Sequence, residues 1–124
     1  MILIVDDDPM VRTMIAGALA ELGYQTGEAA DGKAALEALR AAERPLLVIL
    51  DYVMPGMDGA EVAREIAELD PDLPVIFSTG HSALRALRAA AGDDAPVLEK
   101  PFTLDELEAL VGERLADARR ARSA

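Results

Sequence analysis

Short apolar runs that end in a carboxylate or a hydroxyl alternate along this chain with longer stretches of helical period, and that alternation limits the fold more than any other feature. Ile2–Val5 is a run of β-formers stopped by Asp6-Asp7-Asp8. Leu46–Leu50 is apolar on both faces and ends at Asp51, the pattern of a central parallel strand. Val75–Thr79 and a brief Pro96–Glu99 supply two more strands, and Tyr24–Glu28 a weaker one. The first helical segment places Val11, Met14, Ile15, Ala18, Leu19 and Leu22 on one stripe, with Asp8 as N-cap, Pro9 at N1 and Gly23 past its end. Asp31 caps a second helix to about Arg40, with Leu36 and Leu39 inward. After the turn residues Pro55-Gly56 and Asp58-Gly59, Val62, Ile66 and Leu69 mark a third helix. Ser82–Ala91 gives a short fourth helix stopped by Gly92. Thr103 and Glu106 form a capping box for the last, and Phe102 and Leu107 form a hydrophobic staple. Its stripe runs on through Leu110, Val111, Arg114 and Leu115. Five strands alternating with five helices predict an α/β domain, a doubly wound parallel sheet with helices on both faces and right-handed crossovers.

Composition removes several classes of function. The 124 residues make one domain, expected over residues 1–118, with a polar, Arg-rich tail over 119–124. The net charge of −11 repels phosphate backbones and anionic lipid, so direct contact of this domain with nucleic acid or membrane is not expected. Without cysteine there is no disulfide, thiolate metal site or thiol catalysis, and the lone His81 reads as a loop or helix-start residue. No apolar run reaches the roughly 20 residues of a membrane span, and Met1–Val5 lacks the basic start of a signal peptide. A cytoplasmic location follows as the expectation.

In open α/β sheets ligands bind beyond the carboxyl ends of the strands, where the strand order reverses. Here those ends carry Asp6-Asp7, Asp51, Ser78-Thr79 and Glu99-Lys100-Pro101. A 2-1-3-4-5 order makes strands one and three neighbours, so Asp6, Asp7 and Asp51 converge beside a hydroxyl and an ammonium. Carboxylates so crowded cannot all stay ionised without a compensating charge, and Mg²⁺, a hard cation that keeps positions open for water and phosphate, answers that need. Lys100 adds a point charge suited to a phosphoryl oxygen. Taken together the set describes a phosphoryl-transfer site. Met54 and Met57 read as gap-filling core, and Arg119, Arg120 and Arg122 as a solvated helix end.

Four motifs, Ile2 to Asp8, Asp51 to Gly59, Ser78-Thr79-Gly80 and Lys100-Pro101-Phe102, resemble in order and spacing the receiver domain of bacterial two-component response regulators, from Ile2 to about Leu115. The resemblance implies a flavodoxin-like fold and a phosphorelay role, with Asp51 taking a phosphoryl group from the phosphohistidine of a histidine kinase or histidine phosphotransfer protein. It implies Mg²⁺ held by Asp7, Asp51 and the Val53 carbonyl, with Asp6 assisting through water. Lys100 and Thr79 would engage the phosphoryl group, Pro101 would follow a cis peptide bond, and Val53 and His81 would tune hydrolysis of the aspartyl phosphate. Phosphorylation would shift the face formed by helix four, strand five and helix five, for a downstream protein target, in a monomer or weak homodimer. The protein would be a stand-alone regulator or the receiver of a hybrid histidine kinase, and not itself an enzyme. Val97 stands three residues before Lys100 where receivers usually have Tyr or Phe, and helix four is expected to be stunted, so a muted or rearranged signal is predicted. Two rival readings fit the residues less well. A haloacid-dehalogenase-type phosphohydrolase needs an Asp two residues after its nucleophile, where this chain has Val53. A pseudo-receiver acting as a phosphorylation-independent interaction module typically lacks an acidic residue, the Thr or the Lys, all present here.

Overall fold

The computed structural model describes residues 1–41 and 44–123. In chain order the elements are β1 (Ile2–Val5), α1 (Pro9–Glu21), β2 (Thr26–Ala29), α2 (Gly32–Ala41), β3 (Leu47–Asp51), α3 (Gly59–Leu69), β4 (Val75–Gly80), a 3₁₀ turn (His81–Ala83), α4 (Leu84–Ala91), β5 (Val97–Lys100) and α5 (Leu104–Ser123). The strands form one parallel sheet in the order β2-β1-β3-β4-β5, the doubly wound arrangement that the alternation predicts.

Because both faces of the sheet are covered, its central strands are apolar throughout. Alternate side chains divide between two cores. Leu3, Val5, Val48, Leu50 and Phe77 pack with Leu36 of α2, Val62 and Ile66 of α3 and Leu87 of α4. On the opposite face Ile2, Ile4, Ile49, Ile76 and Leu98 meet Ile15 and Leu19 of α1 and Leu107 and Val111 of α5. Each fully buried Ile or Leu contributes about 1.5–3 kcal/mol of transfer free energy. A slip of one residue in β3 would exchange these two sets of side chains between faces, so the register is strongly held.

Local signals start and stop the helices as the sequence indicates. The Asp8 carboxylate accepts the Met10 N–H at 2.9 Å, and Asp58 accepts that of Glu61 at 2.8 Å. Glu106 N–H donates to Thr103 Oγ1 at 3.1 Å and Thr103 N–H to Glu106 Oε1 at 3.4 Å, which is the reciprocal capping box. Phe102 packs into the same apolar cluster as Leu107, closing the staple.

Some expectations are corrected. Met14 is 54% exposed, because Ile15 and Leu19 already fill the face that α1 turns to the sheet. Leu69 is also exposed, at the last turn of α3 beyond the packed face. The weak strand begins at Thr26 instead of Tyr24, whose N–H instead closes α1 on the Leu19 carbonyl at 3.0 Å. Residues 119–123 follow the reading of their arginines as a helix end and not the reading as a tail, since α5 continues to Ser123. Ala and Arg favour helix, and the Asp117–Arg120 pair lies one turn apart along it. Helix α4 is short, with eight residues before Gly92 at φ 96°.

Gly59 fixes how the chain leaves β3. A Cβ there would lie 2.7 Å from Tyr52 Cα and 2.9 Å from the Asp51 carbonyl oxygen, and the Gly59 N–H donates to the Tyr52 carbonyl at 2.7 Å. Both close contacts are backbone and cannot rotate away. Gly59→Ala is therefore expected to lower stability by about 1–3 kcal/mol in denaturant unfolding; an unchanged midpoint would show that this turn is free to shift.

Candidate functional site

Four loops meet at the carboxyl edge of the sheet. Val5 pairs with Leu50 in register, so Asp6 follows one strand beside the Asp51 that ends the other. Both carboxylates are buried, while Asp7 is exposed. One ligand oxygen from each of Asp6, Asp7 and Asp51 lies within 4.8 Å of the others. Asp6 Oδ1 accepts the Asp8 N–H at 2.9 Å, and Asp6 Oδ2 accepts from Lys100 Nζ at 3.0 Å. The same ammonium is 3.7 Å from Asp51 Oδ1, which also accepts the Val53 N–H at 3.4 Å.

Arg12 braces this corner from behind. Its guanidinium donates to the Asp6 carbonyl at 2.6 Å and to Glu28 at 3.2 Å, tying the end of β1 to β2. No sequence motif marks Arg12. Its position one turn into α1 after Asp8 was the available signal, and a lone Arg on a helix carries too little information to exploit it.

The other expected site residues are placed with less convergence. Thr79 is buried, but its hydroxyl donates to the Gly80 carbonyl at 3.3 Å and does not bond to the carboxylates. The Val53 side chain is exposed at the rim, and His81 points outward, with Nδ1 2.7 Å from Glu99 Oε1. The Lys100–Pro101 peptide is cis. Val97 packs against the core that contains Phe77 and Leu87.

Three carboxylates face one ammonium, so the cluster carries an excess negative charge when all are ionised. At an effective dielectric near 20, a like-charge pair about 4 Å apart is worth about 4 kcal/mol. Burial, then the Asp6 charge, pushes the Asp51 carboxyl up from 3.8 to about 6, against the opposing pull of Lys100 and the Val53 N–H. A divalent cation fits this donor set. The oxygens are hard, and Lys100 does not offset them all.

The raised Asp51 value means that the folded state binds its proton more tightly than the unfolded chain does. Stability from this group is therefore greatest below pH 3.8 and falls as pH rises towards 6. In chelator, Asp51→Asn is predicted to be more stable than the wild type at pH 7.5 by about 1–3 kcal/mol, with the advantage gone near pH 4. Denaturant unfolding across that range measures it, and parallel curves for the two proteins would contradict the assignment.

Comparison with known proteins agrees with this geometry. Residues 2–112 match the family model for the response regulator receiver domain. The response regulator receiver protein CpdR of Brucella abortus is 43% identical over 109 residues, covering 86% of this chain and 88% of that protein. The response regulator MprA of Mycolicibacterium vanbaalenii is 42% identical over 108 residues, and there the chain spans only 46% of the relative's length. The crystal structure of the receiver domain of NtrX from Brucella abortus superposes with a TM-score of 0.84 at 35% identity, covering 94% of this chain and 98% of that one. Receiver domains bind Mg²⁺ at an acidic pocket, the position that the aspartate cluster takes here. This chain belongs to the response regulator receiver domain family of two-component systems.

Proposed function

We propose that this chain is a phosphoacceptor in a two-component phosphorelay, with Asp51 as the residue phosphorylated. The observation that carries the reading is the convergence of Asp6, Asp7 and Asp51 within 4.8 Å, with Lys100 Nζ reaching both Asp6 and Asp51. An Asp51 oxygen attacks phosphorus of a partner's phosphohistidine. The phosphorus–nitrogen bond breaks, and its electron pair stays on the imidazole. Asp6, Asp7, Asp51 and the Val53 carbonyl would hold Mg²⁺, which supplies charge neutralisation for the incoming phosphoryl oxygens. Lys100 is placed to exchange its carboxylate partners for a phosphoryl oxygen. Thr79 gives up only a 3.3 Å bond to Gly80 when its hydroxyl turns to the phosphoryl group, and the loop after β4 would follow it. His81 and Val53, at the rim, would set access of water to the acyl phosphate. Switching here would proceed without the usual aromatic, since Val97 takes its place beside a short α4.

The rim supports a protein as phosphodonor. Met10 is 80% exposed and Val53 60%, and Met14 and Leu104 are exposed as well. Met10, Val53 and Leu104 lie on the segments that follow β1, β3 and β5, around the acidic cluster. Exposed apolar side chains grouped around a charged pocket mark a protein contact, such as the phosphohistidine-bearing helices of a histidine kinase or phosphotransfer protein. A downstream protein target, a cytoplasmic location, a monomeric or weakly dimeric state, and an origin as a stand-alone regulator or part of a hybrid kinase belong to the same proposal. Among the described residues no helix is long and apolar enough to cross a membrane.

Intact mass after incubation with acetyl phosphate and Mg²⁺ tests the central step. One added phosphoryl group is expected on the wild type and none on Asp51→Asn; an equal adduct on both would place the reaction elsewhere. A Met10→Glu/Met14→Glu variant is expected to take phosphate from acetyl phosphate at the wild-type rate, yet at least about tenfold more slowly from a cognate kinase. Equal slowing with both donors would show that these residues serve the pocket itself.

A further inference from the structure

Among the described residues, two buried side-chain atoms have no hydrogen-bond partner, and one of them, Ser78 Oγ, lies at the edge of this site. Ser78 is 1% exposed. A buried hydroxyl left unpaired costs about 1–3 kcal/mol, a penalty that Ala at the same place would not incur. Its surroundings supply a reason for the hydroxyl. Ser78 is the register partner of Asp51 across β3 and β4. Ile49 and Ile76 point into the core beneath α1 and α5, so strand alternation turns Asp51 and Ser78, two residues on, to that same face. Adjacent strands are about 4.8 Å apart, a gap that a serine hydroxyl and a carboxylate can close by side-chain rotation. The Val53 N–H at 3.4 Å and the Lys100 ammonium at 3.7 Å both meet Asp51 Oδ1, and an Oδ2 that held a cation through one lone pair would keep the other for a hydroxyl donor.

We propose that the Ser78 hydroxyl is a further working group of this site, donating to the Asp51 side-chain oxygen that does not carry phosphorus and so shortening the life of the aspartyl phosphate. The proposal rests on Asp51 being the phosphoacceptor. In hydrolysis a water oxygen bonds to phosphorus and the bond from phosphorus to the Asp51 oxygen breaks. Its electron pair remains on Asp51, and the protons of the water leave with inorganic phosphate or to solvent. The charge returning to Asp51 spreads over both carboxyl oxygens. A donor on the second oxygen therefore binds the departing carboxylate more strongly than the acyl phosphate, and lowers the barrier.

Intact mass first establishes that the wild type takes one phosphoryl group from acetyl phosphate; failure at that step is failure of the phosphoacceptor reading, before Ser78 is in question. The donor is then removed, and decay of the adduct is followed in the wild type and in Ser78→Ala, Ser78→Thr and Ser78→Val. Thr and Val add the same bulk and differ in the hydroxyl. Ala and Val are expected to hold the adduct at least about threefold longer than Ser and Thr respectively, and Ser78→Ala is expected to keep or raise the metal-free unfolding midpoint. Equal decay for Thr and Val, or for Ser and Ala, would overturn the proposal. A lowered metal-free midpoint for Ser78→Ala would overturn it too, by showing that the hydroxyl already serves the fold.

Discussion

The ammonium of Lys100 between Asp6 and Asp51 is the contact on which the rest of this structure depends. It joins the last strand of the sheet to the first and third across its carboxyl edge, and it is the positive side chain that meets this group of buried carboxylates. It does not neutralise them. Burial, with the Asp6 charge added to it, leaves Asp51 reluctant to ionise, and the excess negative charge of the cluster suits a cation.

The sheet makes that crowding possible. Parallel strands covered on both faces by helices give β1 and β3 no freedom to slide, so the residues at their ends are held wherever the register puts them. Arg12 ties down the backbone at Asp6, and Gly59 lets the chain fold back tightly behind Asp51. Stability invested in the two cores thus offsets electrostatic strain at one edge. That division of labour is typical of sites mounted on rigid elements. Thr79 and Ser78 sit at the same edge on opposite faces, one hydroxyl weakly satisfied and the other unpartnered, so this edge has hydrogen-bonding capacity to spare.

Much of this was legible from the residues. Strand ends bearing Asp6, Asp51 and Lys100 announced the pocket, because carboxylates at the ends of apolar runs are costly unless they work together. The capping box at Thr103 and Glu106 and the stop at Gly92 were local chemistry and appeared as read. The misreadings arose where tertiary packing decides. Met14 matches the helical period yet faces solvent, since periodicity gives the direction of a stripe and not its width. The Arg-rich end of α5 has no marked apolar stripe to reveal it, and its helix draws on propensity and on pairs such as Asp117–Arg120. The Arg12–Glu28 and His81–Glu99 contacts and the unpartnered Ser78 hydroxyl depend on neighbours distant in sequence, which no single-sequence pattern encodes.

The aspartate cluster is the place at the sheet's edge where a cation would compensate the charge. Titration of the ¹⁵N-labelled chain with Mg²⁺, followed by amide NMR at pH 7, tests this directly. The prediction is one saturable set of shifts confined to Asp6, Asp7, the Asp51–Val53 segment and the backbone around Lys100, lost in Asp51→Asn. Shifts spread without saturation over the acidic faces of α3 and α5 would contradict it, showing that the ion screens a negative surface and has no site at the sheet's edge.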